Sequence, residues 1–129
     1  MNTARPNQVD NCAELFFRRS EAGDWDGMLA LAAPGMTAWQ SGGEPRQAFV
    51  DVVPGFAAMR KRMGPWKYSD VERIVGEDGF CEQHVVRFNR PDGQVREFAA
   101  CVVATVDEHG LITRLDEYLD PSRESTWKH

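Results

Sequence analysis

The first half of the chain carries apolar residues at helical spacing, and this pattern predicts a first helix. We expect the helix to begin near Asn7 or Asp10, either of which can cap it, and to end at Gly23. The apolar face of this helix comprises Val9, Cys12, Ala13, Phe16 and Phe17.

Two further helices and a short strand are predicted in the first half. The second helix spans Asp24–Ala33 and stops at a Pro-Gly pair, and the strand Met36–Gln40 follows it. The third helix starts at Pro45, a residue suited to a first helical turn, and runs to Met63. Because Pro54 lies inside the third helix, we expect a kink or a break there.

The second half alternates between apolar and polar residues, as strands do. Turns rich in Asp and Gly separate the segments and suit hairpins. The predicted strands are Lys67–Val75, Phe80–Asn89, Gln94–Val106 and Leu111–Leu119. Helices followed by a meander of strands predict an α+β fold, in which three helices pack on one face of a curved antiparallel sheet and leave an apolar pocket between them.

One face of the strand Gln94–Val106 is entirely apolar and is the expected core face. Its side chains are mostly small, which leaves room for a cavity. This face comprises Phe98, Ala100, Val102, Ala104 and Val106. The opposite face is mixed, and it suits a weaker contact such as a homodimer interface.

The last strand has one ionisable residue on its more apolar face. That face holds Leu111, Thr113, Leu115, Glu117 and Leu119. A carboxyl group among leucines is costly to ionise, which makes Glu117 a candidate general acid or base. The structural alternative is that Glu117 lies exposed at the end of the sheet or pairs with an arginine.

The strand Phe80–Asn89 has polar residues on both faces, so periodicity does not choose its inner face. Gln83 and Val85 share one face, whereas Glu82 and His84 share the other. A glutamate and a histidine two residues apart would suit acid–base chemistry, but we assign this pair to the second, outer face of the sheet.

Length and charge limit the function further. The chain has 129 residues, enough for one domain over residues 1–129, and its net charge of −5 argues against nucleic-acid binding. Its one basic run, Arg60-Lys61-Arg62, fits a solvated helix C-terminus. No apolar run is long enough to span a membrane and no secretory signal is present, so we expect a cytoplasmic protein.

The three cysteines and three histidines are too widely spaced for a zinc site or a disulfide framework. The cysteines are Cys12, Cys81 and Cys101. We therefore expect reduced thiols, no metal site and no cofactor.

Three segments together resemble the SnoaL-like group of the nuclear-transport-factor-2-like superfamily. They are Glu21–Asp26, Ala38–Arg46 and Gly110–Asp120, and the similarity extends over residues 8–121. The resemblance implies a cone-shaped α+β barrel whose three N-terminal helices close a deep apolar pocket, often dimeric through the outer face of its sheet. Ketosteroid isomerases and limonene-type epoxide hydrolases are relatives in this superfamily.

The resemblance also allows the catalytic positions of these relatives to be compared. In ketosteroid isomerases the functional groups correspond to Phe16, Trp39 and Val102, none of which is acidic or phenolic here, so that mechanism is not expected. The epoxide hydrolase set keeps a single acid, at the last of its positions. Those positions are Trp39, Ser41, Gln83, Val85 and Glu117.

The strand faces and the resemblance together predict a small apolar ligand, alicyclic or aromatic, in the pocket. Glu117 would take or give a proton, and Gln83 would hold a carbonyl or enolate oxygen. The predicted ligand-binding residues are Trp39, Phe16, Ser41, Val85, Phe98, Val102 and Leu115. An isomerase, cyclase, dehydratase or hydrolase without a cofactor remains open, and so does a non-catalytic binding or dimerisation module.

Overall fold

Three helices lie against one face of a six-stranded sheet in this computed structural model, which describes residues 4–120. The helices are α1 (Ala4–Ala22), α2 (Trp25–Leu29) and α3 (Phe49–Met63). The strands are β1 (Ala32–Gln40), β2 (Gln47–Ala48), β3 (Trp66–Val75), β4 (Gly79–Asn89), β5 (Val95–Val106) and β6 (Ile112–Asp120). None of the helices in this range combines the length and the hydrophobicity needed to cross a lipid bilayer.

The sheet is curved, mostly antiparallel and not closed into a cylinder. Its order is β2-β1-β6-β5-β4-β3, so β3 to β6 form the predicted meander. The parallel pair joins β1 to β6 and sets Gln40 beside Glu117. The prediction of an α+β cone, with three N-terminal helices on a curved sheet, is confirmed.

The second helix is shorter than its apolar pattern predicts. It ends at Leu29 rather than at Ala33, because the chain already enters β1 at Ala32. Ala32 pairs with Ile112 of β6, and this long-range pairing stabilises a strand where the local pattern predicts a helix. The helix begins as expected, since the side chain of Asp24 accepts a hydrogen bond from a backbone amide of its first turn.

The third helix begins at Phe49 rather than at Pro45, because Gln47–Ala48 form the short strand β2 against β1. Pro54 lies inside the helix without splitting it. A proline at this position removes the hydrogen bond that its amide would donate to the carbonyl of Val50. The inward packing of the helix outweighs that loss, because Phe49 is almost completely buried.

The last strand does not keep one alternation along its whole length. A bulge inserts Thr113 between two residue pairs of β5 and β6, which turns Ile112 into the core. Thr113 instead contacts Thr105 on the outer face, with their hydroxyl oxygens 2.6 Å apart. The predicted core face is therefore wrong for Leu111 and Thr113, whereas the residues from Leu115 onward keep the predicted alternation.

The inner face of β4 is the one that carries Glu82 and His84, so their assignment to the outer face is wrong. These residues are only 1% and 3% exposed. Gln83 points to the opposite side of the sheet and is exposed. Burial of a carboxylate requires compensating charge and hydrogen bonds, and the next residues supply both.

One guanidinium group, that of Arg73, binds three carboxylates between α1 and the sheet. Its nitrogens lie 2.7 Å from Glu82, 2.8 Å from Asp10 and 3.0 Å from Glu14. Burial alone would lower the pKa of this guanidinium, but the hydrogen bonds that it donates to the three carboxylates outweigh burial and raise it. The second oxygen of Glu82 lies 2.6 Å from Nδ1 of His84.

Arg73 reaches this buried position because β3 contains a bulge. Trp66 and Tyr68 face the helices before the bulge, and Arg73 does so after it. At the bulge, Asp70 adopts a left-handed backbone conformation with φ of 53°. An unbroken alternation would turn Arg73 to the outer face and leave Glu82 without its cation.

We predict that Arg73→Met destabilises the protein by about 3 kcal/mol, because it leaves a buried carboxylate without its cation. Arg87→Met is the matched control, since Arg87 makes a half-exposed pair with Glu97 and its loss costs less than about 1 kcal/mol. Urea unfolding followed by circular dichroism measures both losses in the free energy of unfolding. Equal losses would show that the buried network has no special role.

Candidate ligand-binding cavity

A cavity of about 210 Å³ lies between the helices and the concave face of the sheet. Its walls are mainly aromatic and aliphatic side chains from α1, α3, β5 and β6. Among them are Phe16, Phe56, Met59, Phe98, Val102 and Leu115. Apolar walls with a few polar groups are typical of small-molecule sites.

The first polar group of the cavity is the Glu117 carboxylate, which β6 directs inward between Leu115 and Leu119. Gln40 is its direct neighbour on the parallel strand β1, and the amide Nε2 of Gln40 donates to Oε1 of Glu117 at 2.5 Å. This hydrogen bond fixes the plane of the carboxylate. The second oxygen, Oε2, has no hydrogen-bond partner within residues 4–120 and remains able to accept a proton.

The second polar group is a cluster of two hydroxyls and an indole at the opposite wall. The hydroxyl oxygens of Ser20 and Tyr68 lie 2.8 Å apart. The indole Nε1 of Trp66 donates to both oxygens, at 3.0 Å and 3.2 Å. Each of the two hydroxyl groups carries one proton, and the hydrogen bond between them involves only one of these protons. The other hydroxyl proton has no acceptor within residues 4–120. The cluster therefore offers the cavity one hydrogen-bond donor.

The Tyr68 phenol stays a neutral donor over a wide pH range. Burial raises the pKa of this phenol, and the negative charge of Glu117 raises it further. The hydrogen bond with Ser20 acts in the opposite direction but does not outweigh burial. A carboxylate and a neutral hydroxyl donor thus share one apolar cavity.

A third polar pair, Glu82 and His84, lies behind the cavity wall rather than in it. The imidazole ring packs against Phe17 and Tyr68, with ring centroids 5.2 Å and 4.5 Å away. Its Nε2 is buried and has no hydrogen-bond partner within the described part of the chain. No cluster of three or more side chains with metal-ligand geometry is found in residues 4–120.

Four of the predicted ligand-binding residues line the cavity together with Glu117. They are Phe16, Phe98, Val102 and Leu115. The alternation of β5 and β6 and the helical spacing of α1 were sufficient to place them.

Three predicted site residues, Gln83, Val85 and Ser41, do not reach the cavity. They line a shallow groove of about 630 Å³ on the outer face of the sheet. Gln83 and Val85 were predicted to face the pocket, but they lie on the outer face because Glu82 and His84 occupy the inner face of β4. Ser41 lies beside β6, where its hydroxyl accepts a hydrogen bond from the amide of Leu119 at 3.0 Å.

Trp39 also lies away from the main cavity. Its ring contacts Tyr118 with centroids 5.2 Å apart, and it lines a second, smaller cavity of about 130 Å³. The smaller cavity adjoins the main one, because Gln40 and Glu117 line both.

Four polar residues of the site escaped the sequence analysis. They are Ser20, Gln40, Trp66 and Tyr68. Two of them had a pattern in the sequence, since Trp66 immediately precedes the predicted strand Lys67–Val75 and Tyr68 lies two positions later, where alternation places both aromatic side chains on one face. The position of Gln40 depends on the parallel pairing of β1 with β6, which no local pattern encodes.

Several solved structures share this fold. An NTF2-like protein from Burkholderia xenovorans matches with a TM-score of 0.69 and 17% identity, over 90% of this chain and 92% of that chain. BvnE pinacolase from Penicillium brevicompactum matches with a TM-score of 0.77 and 17% identity, over 93% and 88% of the two chains. An LEH-like epoxide hydrolase from M. tuberculosis matches with a TM-score of 0.69 and 20% identity, over 89% and 84%. At these identities the likeness establishes the fold alone.

The sequence itself identifies the family. Comparison with curated proteins gives no match. The SnoaL-like domain family, in contrast, matches residues 13–115, which is most of the chain. The protein therefore belongs to the SnoaL-like family, as its three sequence segments predicted.

Proposed function

We propose that the protein binds a small ring-containing carbonyl compound in its apolar cavity and catalyses proton transfer on it without a cofactor. One observation carries this proposal: the Glu117 carboxylate and the Ser20–Tyr68 hydroxyl pair line the same cavity. A base and a hydrogen-bond donor around an apolar volume are the two groups that enolisation requires.

The reaction begins when Glu117 takes a proton from the carbon next to the carbonyl group. The electron pair of that C–H bond forms the enolate, whose oxygen accepts the hydrogen bond from the free hydroxyl proton of the Ser20–Tyr68 pair. If a carbon–carbon double bond is conjugated with the enolate, Glu117 returns the proton to the far carbon of this dienolate and the double bond shifts, which gives an isomer. If the enolate carbon instead bonds to a second carbonyl carbon of the same molecule, the proton goes to the new alkoxide and a ring closes.

The hydroxyl pair takes the role that the sequence analysis assigned to Gln83, which lies on the outer face. Gln40 has a different role, because its amide holds the Glu117 carboxylate in one orientation. Orientation of the base matters, since proton abstraction requires the carboxylate oxygen to approach the C–H bond closely.

We predict that the protein accelerates proton–deuterium exchange at the carbon next to the carbonyl of 1-tetralone, a ketone fused to an aromatic ring. Glu117→Gln removes the base and should slow this exchange by about 100-fold or more, while the ketone still binds. Proton NMR in D₂O measures the exchange rate.

The matched control for this experiment is Glu97→Gln, because Glu97 is exposed on the outer face and pairs with Arg87. It should leave the exchange rate unchanged. If the wild-type protein binds the ketone but does not accelerate exchange, it is a binding protein and the catalytic proposal is wrong.

We predict that Tyr68 remains protonated above the ordinary tyrosine pKa of about 10, since burial and the Glu117 charge raise the pKa of its phenol. The protein has two tyrosines, so a Tyr118→Phe variant isolates the titration of Tyr68. Ultraviolet absorbance of phenolate measures the ionisation, and circular dichroism checks that the fold persists. Phenolate absorbance that rises at an ordinary tyrosine pKa in the folded variant would contradict a neutral Tyr68 donor.

We also propose that two copies of the chain associate through the outer face of the sheet. Val103 and Tyr118 expose 42% and 51% of their surface near the centre of this face. Charged side chains of both signs lie around them, including the ion pair of Arg87 and Glu97. An apolar centre with mixed charges around it can match a second copy of itself.

The dimer proposal predicts that Val103→Lys shifts the protein to a monomer in sedimentation experiments, because it places like charges at the centre of the interface. Val50→Lys is the control, since Val50 is 60% exposed on α3, away from the outer face. A wild-type protein that sediments as a monomer at high concentration would rule out this interface.

A further inference from the structure

The cavity has a cation where it meets solvent. Arg62, in the last turn of α3, is exposed and also lines the cavity beside Met59 and Met63. It is the only cationic side chain among residues 4–120 that does so. An exposed side chain that lines a cavity marks an opening to solvent. Gln40 is also exposed and marks a second opening, and we call the opening beside Arg62 the mouth.

Arg62 has no ion pair and no hydrogen bond within residues 4–120. Its neighbour Arg60 is different, because its guanidinium donates to the carbonyl of Glu21 at 2.8 Å and lies 6.0 Å from the centre of the Trp66 ring. Arg60 therefore holds α3 to α1, whereas Arg62 is free to bind a ligand. A favourable interaction with the helix dipole would explain a cation at this helix end, but not its place at the cavity mouth.

A second cation without an ion pair among the described residues, Arg96, lies on the sheet. Arg96 lies two residues before Phe98 on β5 and, by the alternation of the strand, on the same face as Phe98. Its partner in the register is Phe88, another cavity residue. The described part of the chain provides no carboxylate partner for Arg96. Arg62 thus lines the apolar cavity, Arg96 lies on the face of β5 that Phe98 shares, and neither arginine has a counter-charge within residues 4–120.

We propose that the ligand carries an anionic head group, such as a carboxylate, which Arg62 and Arg96 bind at the mouth while the apolar body fills the cavity. This inference deepens the proposed function, because it assigns the ligand class of the same site. Guanidinium groups suit carboxylates, since they form paired, charge-assisted hydrogen bonds with them.

The internal carboxylate does not conflict with an anionic ligand. Glu117 lies level with Val102 in the sheet, four residues along β5 from Phe98, which is the lining residue of that strand nearest to Arg96 in sequence. A strand rises by about 3.4 Å per residue, so these two levels are about 14 Å apart. The head group and the base therefore act on opposite ends of the ligand.

The volume of the cavity limits the size of the apolar part of this ligand. A cavity of about 150 Å³ holds one benzene molecule, so about 210 Å³ fits one substituted ring or a small fused pair. The inferred ligand class is a ring compound with an acidic side chain long enough to reach the mouth.

Two matched probes test the inference: 4-phenylbutanoate and its neutral analogue 4-phenylbutanamide. Isothermal titration calorimetry measures both dissociation constants. We expect the carboxylate to bind about tenfold more tightly than the amide, and we expect this ratio to fall as salt is added, because the arginines are exposed.

The variant Arg62→Gln/Arg96→Gln should remove this preference, because it weakens binding of the carboxylate about tenfold more than binding of the amide. Lys61→Gln is the matched control, since Lys61 is an exposed cation of the same helix turn that does not line the cavity. It removes one positive charge and should keep the preference.

The inference is wrong if the two probes bind the wild-type protein equally, or if the double variant still prefers the carboxylate. Either result leaves the proposed chemistry at Glu117 untouched when the amide binds. Conversely, a carboxylate preference together with no exchange on 1-tetralone would refute the chemistry and retain the head-group site. Failure of both probes to bind would overturn the ligand-binding proposal as a whole.

Discussion

The buried ion network around Arg73 is the interaction on which the rest of this structure depends. Removal of a carboxylate such as Glu82 from water is costly unless a cation goes with it, and here one guanidinium serves three carboxylates at once. Two of those carboxylates, Asp10 and Glu14, belong to α1 and the third belongs to β4. The network therefore ties the first helix to the sheet at a fixed rotation.

The candidate site follows from that fixed rotation. With α1 held in place, Ser20 meets Tyr68 and Trp66 from β3, so the hydroxyl donor is assembled from a helix and a strand far apart in sequence. The carboxylate side is assembled differently, by the parallel register that sets Gln40 beside Glu117. Each half of the site thus rests on a separate long-range contact, and the apolar walls hold the two halves apart.

The sequence predicted the parts of the fold that repeat regularly. The inner face of β5 and the inward position of Glu117 follow from plain alternation, and no tertiary information was needed for them. The face of β4 was not predictable in this way, because Glu82 and Gln83 are both polar and only the position of Arg73 decides which is buried. That position depends in turn on a bulge, as does the inward turn of Ile112. A bulge reverses which residues of a strand face inward, and the local sequence pattern does not indicate where a bulge lies.

The bulge at Asp70 also determines which kinds of genetic change the chain can tolerate. A substitution at this position retains the number of residues between Tyr68 and Arg73, so the side chains beyond it keep their faces. The loss of a single codon in this short stretch would instead reverse every later face of β3 and expose the cation that Glu82 needs. We therefore expect the length of this segment to be inherited more strictly than its composition.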